Sequence, residues 1–100
     1  MVAAYTVVLS PDPDGPWTAV CPAMPGAVTE ADTREGALAA MADVMAGWLE
    51  VARRDGFQPL VETAALVADK IAEILEDRAE EGWDLLVETA LLSPRSVAAA

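Results

Sequence analysis

The chain has 100 residues, 54% of them apolar, with 17 acidic against 6 basic side chains, no histidine and one cysteine, for a net charge of −11. That length allows one domain with a modest core, and the apolar share argues against disorder. The charge opposes general binding to a phosphate backbone, which needs cationic neutralisation, and favours a cationic protein partner.

Ala4–Ser10, rich in β-branched and aromatic residues, is predicted to be a strand. Pro11–Pro16 is a loop, because its three prolines exclude regular structure and Gly15 closes a turn. Trp17–Cys21 is the returning strand, stopped by Pro22, which lacks a backbone donor. Pro25-Gly26 is a turn dipeptide, and Ala27–Glu30 is a short third strand. These three strands form an antiparallel meander with one face open to a helix.

Asp32 or Thr33 caps the next element, and Asp32 with Glu35 has the offset of a capping box. A first helix is predicted from Thr33 to Arg54. Leu38, Met41, Met45, Trp48, Leu49 and Ala52 form its core-facing stripe, and Gly56 is the stop. Phe57–Pro59 is a connector. A second helix follows from Thr63 to Glu81, with Val67, Ile71, Ile74, Leu75 and Arg78 on one side. Its other faces carry like-charge pairs at four-residue spacing, such as Glu73/Asp77 and Asp77/Glu81, each costing a few tenths of a kcal/mol, so tertiary packing must hold it. Gly82 ends that helix. Trp83–Leu92, between Gly82 and Ser93-Pro94, fits a final strand better than a third helix. Residues 1–92 then make a single α+β domain, and Ser93–Ala100 a loose tail.

Chemistry is sparse. Without histidine the commonest general base and metal ligand is missing. Cys21 lacks a histidine to activate it and is expected to be a small core residue. The lone thiol allows no internal disulfide and suits a reducing cytoplasm. Asp12-x-Asp14-Gly15 begins like a calcium loop, but its ligand series does not continue, so the aspartates are turn residues. No phosphate loop or nucleophile elbow occurs. Val2–Leu9 is too short to span a bilayer, and no charged leader precedes it. The expectation is a cytoplasmic protein with no catalytic residues, metal or cofactor.

The run Pro22-Ala-Met-Pro25-Gly26, followed by Thr29-Glu30-Ala-Asp32-Thr33-Arg-Glu35-Gly-Ala37, resembles the signature of the HicB antitoxin family. The upstream pieces Tyr5–Leu9 and Asp12–Val20 are similar to that family's opening hairpin. The resemblance covers roughly residues 4–60. Ala23, Ala27, Gly36 and Ala40 depart from its usual pattern, and these departures read as changes of surface chemistry rather than fold. The resemblance implies a partial ribonuclease-H-like fold and a role in masking a small basic HicA-type toxin, itself an mRNA-cleaving enzyme. Family members also often carry a C-terminal ribbon-helix-helix or helix-turn-helix segment. Here the second helix is acidic, so DNA binding is not expected. The first strand carries no carboxylate, so residual nuclease activity is not expected either.

Asp12, Asp14, Trp17, Glu30 and Asp32 are the candidate partner contacts, together with the acidic face of the second helix. Carboxylates there would stand where phosphates sit on a basic partner. Ordinary burial of Trp17 and solvation of the acids is the alternative for each. A solitary HicB-like module, acting in oligomer assembly or regulation without a toxin, is the other functional reading. Homodimerisation suits either, since an edge strand and a long apolar helix invite symmetric pairing.

Overall fold

A computed structural model describes residues 4–95. The β-branched run forms β1 (Tyr5–Pro11), and the proline-rich loop returns the chain as β2 (Trp17–Val20). Within that loop Gly15 donates its N–H to the Asp12 carbonyl at 3.1 Å, and Asp12 donates to the Pro16 carbonyl at 2.7 Å. Then come β3 (Val28–Ala31), α1 (Arg34–Asp55), α2 (Ala64–Glu80) and β4 (Glu88–Leu92). All pairings are antiparallel, in the order β3-β2-β1-β4. The expected α+β plan, a meander followed by two helices and a final strand, is the one that forms. Residues 63–92, long enough for an appended segment, return instead to the sheet as α2 and β4.

Side chains alternate across a strand, so Val7, Leu9, Ala19, Ala31 and Ala90 share one face of the sheet. α1 covers that face. Its Ala37, Met41 and Met45 are fully buried against Val7, Leu9 and Ala19, while Leu38, Val44, Trp48 and Leu49 pack around them. Burying each of the larger side chains contributes about 1.5–3 kcal/mol, which is how the apolar stripe drives the packing. α2 lies against β1 on the opposite face, over Val8 and Ser10, both of which are buried.

The segment between β2 and β3 is a pair of linked turns. Met24 donates to the Cys21 carbonyl and Ala27 to the Met24 carbonyl, with Gly26 at φ 88°. Pro25-Gly26 thus occupies the centre of a turn that requires positive φ in its second half. The indole of Trp48 donates to the Pro25 carbonyl at 3.0 Å, tying this turn to α1. Ala23 and Ala27 are both buried, and Leu60 donates its N–H to the Ala23 carbonyl. Ala23 and Ala27, expected to change surface chemistry, are therefore core positions, because the turn folds under α1 instead of facing water.

Several local expectations shift. Pro11, expected in the loop, is the last residue of β1, because Trp17 at the start of β2 stands opposite it and a proline is tolerated at a strand end. β3 runs on to Ala31, paired with Trp17, so the cap of α1 is Thr33, whose hydroxyl accepts from the Gly36 N–H at 2.9 Å. The third helical position is then Gly36, and no capping box forms; Glu35 sits in the first turn, at the positive end of the helix dipole and 4.0 Å from the Arg34 guanidinium. The final strand spans Glu88–Leu92 alone, since β1 offers partners only from Tyr5 to Leu9. Of the tail expected from Ser93, Arg95 donates its N–H to the Ala42 carbonyl and its guanidinium to Asp43, at 2.9 Å each. Residues 96–100 lie outside the described part. Among the described residues no helix is long and apolar enough to cross a membrane.

Candidate partner-binding surface

At the C-terminal end of α2 the chain makes its most organised polar contacts. Gly82, at φ 73°, donates to the Ala79 carbonyl, and Trp83 donates back to the Arg78 carbonyl, closing the helix. This places Trp83 beneath Arg78, whose guanidinium lies 5.6 Å from the ring centroid. Arg78 is 5% exposed. It donates to the carbonyls of Pro11, at 2.7 Å, and Asp84. One buried cation thus fastens α2, the end of β1 and the approach to β4 together. The periodicity placed Arg78 on the inner side of its helix, but nothing in the sequence named the carbonyls it would meet.

Beside this fastening lies an open cleft of about 510 Å³ between the sheet and α2. Ser10, Thr18 and Ile74 line it, and Asp12, Asp77, Glu80 and Glu81 bring carboxylates to it. Glu30 is cross-strand from Thr18 on the same face of the sheet and is exposed. Asp12, one of the expected contacts, therefore joins the acidic end of α2, while Glu30 shares that face of the sheet outside the cleft. Asp14 is exposed within the β1–β2 loop, and Asp32 is exposed just past β3. Trp17 falls on the other face, half-buried and packed against the α1-side core, so it shares no surface with Glu30. Sequence spacing could not bring Asp12 to Asp77, because only the crossing of α2 over β1 does so.

Glu62 has a different task. Both its oxygens accept from Thr6, from the backbone N–H at 2.7 Å and the hydroxyl at 2.8 Å, which satisfies β1 beyond the end of β2. Cys21 is 1% exposed. Burial pushes its thiol pKa up, the Glu62 charge adds to that, and the backbone N–H groups of Ala23 and Met24 pull the other way. No group of three or more His, Cys, Asp or Glu side chains that could hold a metal ion occurs among the described residues. Comparison with family models, with curated proteins and with solved structures yields no match.

Proposed function

We propose that this chain is an antitoxin-like protein of the HicB type, a partial ribonuclease-H-like platform that binds and masks a small basic HicA-type toxin. The observation that carries the reading is the cleft between β1, β2 and α2, where Asp12, Asp77, Glu80 and Glu81 converge. A toxin that cleaves mRNA must present cations to a phosphate backbone. Carboxylates held on a rigid sheet and helix occupy those cations and keep RNA away. The chain's surplus of acids steers the encounter, and the cleft fixes where it ends.

Native mass spectrometry of the chain mixed with a HicA-type toxin tests this, alongside inhibition of RNA cleavage. A complex at micromolar concentration is expected. Neutralising the cleft with D12N, D77N, E80Q and E81Q together should weaken it by about 30-fold or more. No complex at that concentration overturns the whole reading. A complex that the neutralised variant forms equally well overturns the cleft as its surface.

A further inference from the structure

The two borders of the sheet are not alike. β3 is four residues long, carries exposed Glu30 and runs directly into exposed Asp32, devices that keep an open strand from pairing with another chain. β4 has no such protection. Glu88–Leu92 contains no proline and no lysine, and its one acid, Glu88, is already held by Arg34 at 2.9 Å. Leu91 on this strand is 74% exposed, and Leu85 and Leu86 in the approach to it are 63% and 48% exposed.

Which backbone groups of β4 are open follows from β1. The Thr6 N–H is taken by Glu62 although Thr6 sits opposite Leu91, so it points away from β4. In an antiparallel ladder the direction alternates, so Tyr5, Val7 and Leu9 bond to Leu92, Ala90 and Glu88. The N–H and C=O groups of Thr89 and Leu91 are thereby directed outward, in phase with a second strand.

We propose that β4 pairs antiparallel with β4 of a second copy about a two-fold axis at Ala90, making one eight-stranded sheet. Thr89 of each copy then bonds with Leu91 of its mate, and the two exposed Leu91 side chains lie diagonally across the junction on one face. Charge favours this border over the rest of a −11 chain. Between Leu85 and Arg95 lie one acid, Glu88, and one base, Arg95, with Asp84 just before them. Antiparallel self-pairing brings the Arg95 end of each copy to the Asp84 end of the other. The acidic cleft opens onto β1, β2 and α2 and stays free, so this proposal does not depend on the toxin reading.

Sedimentation and light scattering at about 50 µM should show a dimer. Its Kd should fall about threefold or more between about 20 and 300 mM salt, as screening relieves repulsion between the two anionic bodies. Leu91 is exposed in the monomer, and Leu91→Lys sets two ammonium groups diagonally across the junction, so it should raise Kd at least about 30-fold while circular dichroism stays unchanged. The register is read by oxidation of C21A/A90C, because Ala90 meets its own copy at a non-hydrogen-bonded pair, where Cα atoms approach to about 4.5 Å and a disulfide fits. C21A/T29C, on the opposite border, should stay uncrosslinked. A chain that is monomeric at all these concentrations overturns the proposal, as does a dimer indifferent to Leu91→Lys. Crosslinking through T29C in place of A90C overturns it as well.

Discussion

Arg78 shows what a single residue contributes to this molecule. A buried guanidinium without carboxylate neighbours in hydrogen-bond range is held by two carbonyls and a tryptophan face, an arrangement that suits its fork and not an ammonium. Arg78→Ala leaves the Pro11 and Asp84 carbonyls without their donor, and a loss of about 2–4 kcal/mol in urea unfolding is expected. Arg78→Lys should recover only part of it. Cys21 gives a pH dependence. Its native pKa lies above the ordinary 9.0 because the thiol is buried, whereas the unfolded chain titrates near that ordinary value. Above about pH 9 the unfolded form releases a proton that the native form keeps. Stability therefore falls as pH rises through that range, until the native thiol ionises too. Unfolding curves at rising pH should show this slope in the natural chain and lose it in Cys21→Ala.

At the scale of elements, the two long helices are capped in the same way, with the Thr33 and Thr63 hydroxyls accepting from Gly36 and Leu66 three residues on. Thr33→Ala should cost about 1 kcal/mol by thermal or urea unfolding. Glu35→Ala should cost less, about 0.3–1 kcal/mol, since Glu35 meets the dipole and an exposed Arg34 at 4.0 Å but makes no reciprocal cap. Periodicity located both helices because three- and four-residue steps of Leu, Met and Ile mean the same thing in any helical context. It located the cap less well. Asp32 and Thr33 are equally good capping types, and only the pairing of Ala31 with Trp17 decides which of them stands at the start of the helix. β4 was legible in type but not in extent. Trp83–Val87 has the same composition as a strand, yet Trp83 is engaged under Arg78 and Leu86 donates to the Asp84 carbonyl, which keeps that stretch out of the ladder.

Across the whole molecule, charge and edges act on different surfaces. The cleft between the sheet and α2 gathers acids, whereas the β4 border is nearly balanced and apolar. The two associations should therefore answer salt in opposite directions. The proposed binding of a basic toxin at the cleft should weaken as salt rises, while the proposed pairing of two anionic copies should strengthen. A titration of each across ionic strength separates them, and parallel responses would show that both use one surface.

What the sequence by itself determined is local and periodic: the order of strands and helices, the Pro-Gly turn, the helix stops at Gly56 and Gly82, and an excess of acids. Each follows from the chemistry of a few consecutive residues or from their spacing along one element. The tertiary structure alone decided which distant groups meet. Asp12 joins Asp77, Arg78 reaches Pro11, Ala23 is buried, and Trp17 turns from Glu30, because these depend on how α2 crosses the sheet and on which face each strand presents. Those relations are set by packing between elements far apart in the chain, which local spacing does not encode.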